Sequence, residues 1–434
     1  MDDNGVKIIN TKKGLLAISP MIFFVVFYVI ASLFAGDFSK VSLPIVFLLS
    51  SVYGICITRG KSLPDRVRVF TRGAAVPKIF FIIILFFFIG IFAECAKDIG
   101  CFDETVKLTL SILPSNYIFS GLFLAACLVS MATGSAFGTV ATLVPIGIQL
   151  AEAVGADVSF STAIVVGGAF FGDNLSFISD TTIAATSTQD CSLKDKFFVN
   201  VRIVWPVAVL LLVVYSFLGK DLSSVALPGE INYFKIVPYA VVLILAICGV
   251  DVLITLSSGI VLAVVIGLIY GSFDFFGCMS VMQRGLYSLQ DVCVITLLAS
   301  GMMGLIKENG GLDFLLESMR KVMNSKRGAE FGIGALVVVA SICTAVNTVA
   351  IITVGGIAKE LSEKYKLDSR KVASILDTFS CVVQGLLPYG AHVLVGASLA
   401  GVSPFELIPY LYYPMLVGVA AVISIAFRLP RKYS

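Results

Sequence analysis

The chain has 434 residues, of which 58% are hydrophobic and only 14% charged, whereas soluble domains usually carry about 25% charged residues. This composition indicates an integral membrane protein, and the formal net charge of +3 gives no basic surface that would favour a nucleic-acid partner. The single histidine excludes zinc motifs that need two histidines, and the lack of a P-loop lysine motif excludes direct use of ATP.

Apolar segments recur along the chain, and a bilayer span needs about 20 mostly apolar residues. Spans are predicted at Leu15–Ala35, Val41–Ile57, Pro77–Ala93, Tyr117–Thr133, Ile203–Leu218, Ile236–Gly249, Val252–Tyr270, Val292–Ile306, Phe331–Ala345 and Leu411–Phe427. Two further apolar stretches, 139–186 and 346–400, are interrupted by Gly, Pro, Ser and Asp. The first segment is longer than a signal-peptide core and lacks a convincing cleavage site, so we interpret it as a span.

The distribution of lysine and arginine predicts the orientation, because short cytoplasmic loops are enriched in these residues. Basic residues mark the predicted cytoplasmic segments, namely Lys7, Lys12, Lys13, Arg59, Lys61, Arg66, Arg68, Arg72, Lys78, Lys194, Lys196, Arg202, Lys307, Arg320, Lys321, Lys326, Arg327, Arg428, Arg431 and Lys432. The loop after the third span is acidic, with Glu94, Asp98, Asp103 and Glu104, and is expected outside. A multi-pass protein of the cell inner (plasma) membrane with both termini cytoplasmic is therefore predicted.

Similar spans recur in the two halves of the chain, 1–218 and 219–434. Spans that begin near 15, 41, 77 and 117 are followed by others near 236, 252, 292 and 331, so the separation is about 211 to 221 residues. Thr139-Val140-Ala141 returns as Thr348-Val349-Ala350, and Asp157 with Ser159 returns as Asp368 with Ser369. Together with the charge map, this predicts an all-α protein of two inverted-topology repeats with broken or re-entrant helices at the midplane, as in secondary transporters. Accidental spacing is the alternative.

The interrupted stretch of the first half combines polar and ionisable groups with apolar neighbours. Within ten residues it contains Asp173, Asn174, Ser176, Ser179, Asp180, Thr181 and Thr182. Ionisable groups inside a membrane segment are costly and usually functional, so we expect an ion or substrate site here. The alternative is an interfacial loop in which Asp173 caps a helix.

These side chains offer only oxygen and amide groups, which suit an alkali or alkaline-earth cation. We expect Asp173 and Asp180 to be the metal (Na⁺) ligands, to lie buried from lipid near the midplane and to reach a common cation. Removal of a carboxylate from water favours its protonated form, so a proton and a cation would compete for it. No cofactor is expected beyond Na⁺ and H⁺ as transported or coupling ions.

The corresponding stretch of the second half contributes Asp377, Gln384 and His392 around a break at Pro388. His392 is interpreted either as a proton relay or as a hydrogen-bonded structural residue. Further candidates flank two other breaks, and each could instead make only an intrahelical hydrogen bond; they are Thr133, Ser135, Thr139, Asn347 and Thr348. Asp251 is interpreted as a solvated turn residue.

Two motifs carry a family resemblance. Phe171-Gly172-Asp173-Asn174-Leu175-Ser176 with Ser179-Asp180-Thr181-Thr182 resembles the signature of the NhaC-type sodium/proton antiporter family, and Thr133-Gly134-Ser135 with Gly138-Thr139 resembles its preceding T-G-[ST]-x-x-G-T element. The resemblance implies exchange of sodium for protons, and some members exchange amino acids or organic acids against these ions. The wider ion-transporter superfamily implies a transport domain that moves against a dimeric scaffold, hence a homodimer. The second half has a sparser acidic and hydroxyl motif than the family pattern.

Other functions fit the sequence less well. An intramembrane aspartyl protease would use a G-x-G-D element, but Phe170-Phe171-Gly172-Asp173 lacks its first glycine. A passive channel would not need two broken halves with carboxylates. Among transporters, a small cation is favoured over an organic anion because no arginine lies at the breaks themselves, at 167–182 and 377–392. A neutral or zwitterionic substrate stays possible, since helix ends can bind a carboxylate without arginine.

Overall fold

The computed structural model describes residues 11–35, 40–112, 114–177, 179–220, 230–248, 250–314, 325–344 and 346–430, and these ranges are helical with short connections. The first half contains α1 Thr11–Ala35, α2 Leu43–Ile57, α3 Leu63–Ala74, α4 Pro77–Asp98, α5 Cys101–Ile112, α6 Ile118–Thr133, α7 Ala136–Val154, α8 Val158–Leu175, α9 Asp180–Thr188 and α10 Leu193–Leu218. The second half contains α11 Tyr233–Ile247, α12 Val252–Ile269, α13 Phe275–Ser288, α14 Gln290–Glu308, α15 Lys326–Thr344, α16 Asn347–Tyr365, α17 Ser369–Leu386, α18 Ala391–Ala400, α19 Pro404–Leu407 and α20 Tyr412–Ala426.

Many of these helices are long and apolar enough to cross a membrane. Within the described ranges there are eight such spans, or nine if the segment Pro404–Tyr410 and α20, which are bent by 54° relative to each other, count as one. The shorter apolar segments are Leu43–Ile57, Ile118–Met131 and Tyr233–Leu245. The chain is therefore an all-helical, multi-pass membrane protein, as the sequence predicts.

The structure changes several predicted span boundaries. The third span continues to Asp98, so Glu94 and Asp98 are helical residues of α4 and not a loop. The segment predicted to begin at Ile203 belongs to α10, which begins ten residues earlier at Leu193. Ser192 caps this helix, because its hydroxyl accepts a hydrogen bond from the Asp195 N–H at 3.1 Å. The basic residues near 194–202 are thus helical residues and not a loop, and this changes the environment of Lys196.

Helices that surround the interrupted stretches correspond between the halves. Three pairs of helices have first residues that are 211 apart, namely Ala136 and Asn347, Val158 and Ser369, and Asp180 and Ala391. Asp157 and Asp368, also 211 apart, cap α8 and α17 with hydrogen bonds from N–H groups two residues later. These correspondences support the predicted repeat, whereas the echo of Thr139 at Thr348 is wrong, because the structural counterpart of Thr139 is Ala350.

Close helix crossings repeat in the same way. A Cβ atom on Gly73 of α3 would lie 2.7 Å from Cα of Gly304 on α14, so these helices meet backbone to backbone. In the other pair, a Cβ on Gly90 of α4 would lie 2.1 Å from the carbonyl oxygen of Gly285 on α13. The first pair joins α3 to α14, and the second joins α4 to α13. Because α3 corresponds to α13 and α4 to α14 in the repeat, the two crossings are equivalent and support the repeat independently of the interrupted stretches.

Small residues on α8 allow the close packing that positions Asp173. A Cβ on Gly172 would lie 2.2 Å from Cβ of Ser130 on α6, and one on Gly168 would lie 2.6 Å from Cβ of Ala126. The Ser130 hydroxyl donates a hydrogen bond to the Ala169 carbonyl at 2.5 Å and fixes the register of the two helices. The carboxyl end of α8 is therefore held against α6.

Candidate functional site

A cavity of about 270 Å³ lies where the interrupted helices of the two halves meet. Six predicted site residues line it, namely Ser135, Asp173, Asp180, Asn347, Gln384 and His392. Phe81, Ile82 and Leu85 of α4 form an apolar part of the wall. The structure therefore brings predicted residues from both halves around one space.

A larger cavity of about 370 Å³ lies beside α3 and α14. Its charged lining consists of Lys61, Arg72, Lys307 and Glu308. Three of these four side chains are positive, so this cavity repels a cation. We therefore take the smaller cavity, which contains carboxylates, as the candidate site.

Among the described residues, five helices begin at the smaller cavity, with first residues Ala136, Asp180, Val252, Asn347 and Ala391. The first turn of a helix has free N–H groups and a partial positive charge. Gly134 allows the turn from α6 into α7, because its φ of 64° is in the left-handed region that glycine adopts without strain. Ser135 then caps α7 by accepting a hydrogen bond from the Gly138 N–H at 3.0 Å.

Asp173 lies near the end of α8 and is only 3% exposed. Its Oδ1 accepts a hydrogen bond from the Ser179 hydroxyl across the break between α8 and α9. Its Oδ2 accepts from Nδ2 of Asn347 at 3.4 Å and from Sγ of Cys381 at 3.6 Å. The carboxylate thus connects the break of the first half with two helices of the second half.

Asp180 is the first residue of α9, and its side chain is exposed to the cavity. Its Oδ2 accepts a hydrogen bond from the Thr348 hydroxyl at 2.6 Å, another contact between the halves. Asp173 and Asp180 therefore approach the same space, one from a buried position and one from an exposed position. Their burial from lipid stays a prediction.

Other predicted residues of the first break are buried and do not line the cavity. The Asn174 amide donates to the Phe170 carbonyl at 2.9 Å and to the Tyr413 hydroxyl at 3.3 Å. Ser179 and Thr181 are joined by a hydrogen bond of 2.8 Å between their hydroxyls. The structure also buries Ser176 and Thr182, so these residues surround the site and do not form its wall.

Two candidates at the Gly134 break have different outcomes. The Thr139 hydroxyl donates to the Ser135 carbonyl at 3.0 Å, which is the intrahelical bond given as the alternative. The side chain of Thr133 lies outside the described part of the structure. Of the two candidates at this break whose side chains the structure describes, Ser135 lines the cavity and Thr139 does not.

Asp377 is fully buried and does not line the cavity, because an ion pair holds it behind the site. Its Oδ2 lies 2.7 Å from Nζ of Lys196, which is 1% exposed. The Asn200 amide donates to the same oxygen at 2.9 Å and to the Asn174 carbonyl at 2.9 Å. Asp377 is thus already neutralised by a positive charge from the first half.

Lys196 and Asn200 are the residues that sequence reasoning missed. Lys196 is interpreted above as a cytoplasmic marker, and the structure corrects this because α10 begins at Leu193 and carries the lysine into the core. The two residues are four apart and share one helix face. Two polar residues on one face, directly before an apolar run, are the sequence signal that could have identified them.

His392 and Asp251 complete the polar lining. The His392 ring lies 4.8 Å from the Phe170 ring and 5.8 Å from the Phe137 ring, measured between centroids, and it reaches the cavity from the first turn of α18. Asp251 caps α12 by accepting from the Leu253 N–H at 2.9 Å, as a turn residue would. Because Asp251 also lines the cavity, it adds a third carboxylate that the sequence interpretation did not assign to the site.

Several known transporters are similar to this chain in sequence. The Na⁺/H⁺ antiporter NhaC of Bacillus subtilis is 24% identical to this chain over 81% of the chain and 84% of that protein. The malate-2H⁺/Na⁺-lactate antiporter of Bacillus subtilis is 21% identical over 72% of this chain and 75% of that protein. The arginine/ornithine antiporter ArcD of Halobacterium salinarum is 23% identical over 69% of each chain.

Among solved structures, the YdaH transporter of Alcanivorax borkumensis matches with 13% identity and a TM-score of 0.40, over 84% of this chain and 88% of that chain. A model of the Na⁺/H⁺ antiporter family matches residues 7–220 and 225–429. Because these ranges include nearly the whole sequence, the chain belongs to the Na⁺/H⁺ antiporter family.

Proposed function

We propose that the protein exchanges Na⁺ for H⁺ across the plasma membrane and that both ions compete for the carboxylates of Asp173 and Asp180. The observation that carries this proposal is the convergence of the two carboxylates, one from each side of a helix break, on one cavity. The named relatives include Na⁺/H⁺ antiporters, which is consistent with it.

Competition follows from the cost of charge in a dry environment. An ionised carboxylate that is removed from water is unfavourable unless a proton or a cation balances it. Asp173, which is 3% exposed, is therefore stable either with a proton or beside a cation. Arrival of one ion displaces the other, and exchange needs no separate coupling device.

Neighbouring groups can complete the environment of the cation. The amide side chains of Asn347 and Gln384 line the cavity and carry the hard oxygen atoms that alkali cations prefer. Thr348 donates its hydroxyl hydrogen to Asp180 and orients that carboxylate. The second half therefore contributes amide ligands and a positioning hydroxyl to carboxylates supplied by the first half.

A second candidate is exchange of a small amino acid or organic acid coupled to Na⁺ or H⁺. The cavity of about 270 Å³ is larger than a single cation requires. Five helix N-termini at its wall could bind a carboxylate group without arginine. Two relatives are named as antiporters of such organic compounds.

Transport by purified protein in proteoliposomes with an internal pH dye separates the candidates. Sodium, lithium and potassium are added first, followed by a panel of amino acids and organic acids. We expect sodium to drive proton movement when no organic compound is added. If sodium has no effect without an organic compound, Na⁺/H⁺ exchange is the wrong function and the second candidate is favoured.

The assembly follows from the same proposal. We infer that the protein is a homodimer with both termini in the cytoplasm. We also infer that it acts as a transporter and not as an enzyme, and that it uses no cofactor beyond the transported ions. The basic carboxy-terminal end, with Arg428, Arg431 and Lys432, supports this orientation through the positive-inside rule. Cross-linking of the protein in native membranes tests the dimer.

A further inference from the structure

The ammonium group of Lys196 is bound on several sides behind the candidate site. Its Nζ lies 2.7 Å from Oδ2 of Asp377 and donates to the Asn174 carbonyl at 2.8 Å and the Thr182 hydroxyl at 2.6 Å. Burial of a charge is costly unless it is paired and hydrogen bonded, and here each donor position of the ammonium has an acceptor. The arrangement is therefore a built environment for a positive charge.

Two of these contacts lie on opposite sides of the helix break. Asn174 is in the last turn of α8, and Thr182 is in the first turn of α9. Asp173 directly precedes Asn174 in the chain, and Asp180 lies two residues before Thr182. A single ammonium group that binds both sides of the break fixes the distance between the two helix ends.

The same ammonium group balances a carboxylate of the other half. Asp377 of α17 is fully buried, and the Asn200 amide also donates to its Oδ2. Ionisable groups near this pair are Asp173 of α8, Cys381 of α17, Tyr413 of α20 and Cys191 in the turn before α10, and Asp180 of α9 lies next to Asp173. With Lys196 and Asp377 cancelling each other, the negative charge left at the break belongs to Asp173 and Asp180.

We propose that Lys196 is a positioning residue of the transport site, a fixed internal cation that holds both sides of the α8–α9 break and cancels the charge of Asp377. This inference rests on the proposed cation exchange. It assigns Lys196 and Asp377 an effect on sodium affinity, although neither residue lines the cavity. The pair sets how strongly the cavity attracts one monovalent cation.

Opposite substitutions in the pair test this assignment. Asp377→Asn leaves an unbalanced ammonium group near the cavity, so the sodium concentration for half-maximal exchange rises about tenfold. Lys196→Gln leaves an unbalanced carboxylate, while the two N–H donors of its amide can still bridge the Asn174 carbonyl and the Thr182 hydroxyl, so the same concentration falls. The double variant Lys196→Gln/Asp377→Asn removes both charges, and we expect its half-maximal concentration to return to within about twofold of the original protein. Measurements use sodium-driven proton movement in proteoliposomes at one alkaline pH.

A second buried ion pair provides a matched control. Lys371 of α17 lies 3.0 Å from Glu330 of α15, both 3% exposed at the side chain, and neither lines the cavity. The double variant Glu330→Gln/Lys371→Gln loses a buried pair with no change in net charge and keeps the original sodium dependence. It shows how much of any effect comes from the loss of a buried pair alone.

Stability is recorded for every variant by thermal unfolding in detergent, with and without sodium. If a single variant does not fold, the charge-neutral double variant and its sodium-dependent stabilisation decide the question. Sodium affinities that shift in the same direction in both single variants, or do not shift, overturn the role of Lys196. Absence of sodium-driven exchange in the unmodified protein overturns the proposed function instead, so the two failures are distinguishable.

Discussion

At the scale of single residues, the strongest expectation is that exchange depends on the carboxylate of Asp173. Asp173→Asn keeps the shape of the side chain and one oxygen, but the amide can neither hold the exchanged proton nor balance a cation. Exchange in proteoliposomes should fall to the background of protein-free vesicles, while the thermal unfolding profile in detergent stays similar. The control is Asp65→Asn, in the first turn of α3, which does not line the cavity and has a side chain that is 50% exposed. Unchanged turnover of Asp173→Asn at equal protein content would contradict the competition mechanism.

His392 should modulate the pH dependence of transport without being essential for it. It shares the cavity with Asp173, Asp180 and Asp251, and its ring packs against Phe170. A positive imidazolium opposes cation entry at low pH, and this opposition fades when the ring loses its proton as pH rises. His392→Gln should therefore flatten the acid limb of the pH profile and keep alkaline activity.

Two results would change the role of His392. Loss of exchange at every pH would make it an obligatory proton carrier or a structural residue. A profile identical to that of the unmodified protein would place it outside the field felt by the cation. Leu85→Ile, at another lining position of the same cavity, controls for altered packing there.

The residues of the site were only partly predictable from sequence. Asp173 and Asp180 stand out because carboxylates are rare in apolar stretches. Lys196 does not stand out, since lysine near a span end fits the rule for cytoplasmic loops equally well. Its role depends on contacts with Asp377, which is distant in sequence, and single-sequence patterns contain no information about such contacts.

At the scale of helices, the contact between α6 and α8 places the break. Gly172→Ala puts a Cβ atom 2.2 Å from Cβ of Ser130 and 2.5 Å from the Met131 nitrogen, which is part of the backbone and cannot rotate away. We expect a loss of about 1–3 kcal/mol in the free energy of unfolding and strongly reduced exchange. Thermal unfolding in detergent and proteoliposome transport measure these effects.

Gly356→Ala on α16 is the matched control, because a Cβ atom there meets nothing within 4 Å. Alanine favours a helix over glycine by up to about 1 kcal/mol, so this variant should be as stable as the original protein or slightly more stable. If Gly172→Ala behaves like Gly356→Ala, the close contact does not control the position of Asp173.

Helix boundaries show which sequence signals are reliable. The caps Asp157 and Asp368 mark corresponding helix starts, since a cap depends on local hydrogen bonds that are readable from a few residues. The threonine echo between Thr139 and Thr348 is off by two residues, because similar tripeptides arise by chance in apolar sequence. The predicted span begins at Ile203, after the true start of α10 at Leu193, because the first turns of this helix are polar. Ser192 is nevertheless a recognisable cap.

At the scale of the whole molecule, corresponding connections differ in charge. The α7–α8 connection has Glu152 and Asp157 near it and no basic residue between them, and Glu152 lines a cavity with Glu94 of the predicted outside loop. The α16–α17 connection is basic, with Lys364, Lys366 and Arg370. Lys359 of α16 also forms an ion pair with Asp190, close to the basic start of α10. Opposite sides of the membrane are therefore expected for equivalent points of the repeat.

Cysteine labelling at two equivalent positions tests the inverted repeat. Glu152 and Glu363 are 211 residues apart, near the ends of α7 and α16, and both are exposed. In a cysteine-free background that still transports, Glu152→Cys should react with a membrane-impermeant maleimide from outside intact cells. Glu363→Cys should react only in inverted vesicles or after permeabilisation, because positive charges retain its connection in the cytoplasm. Labelling of both positions from one side would mean that the halves are parallel repeats, and the transport model of two inverted halves around a central cation site would then fail.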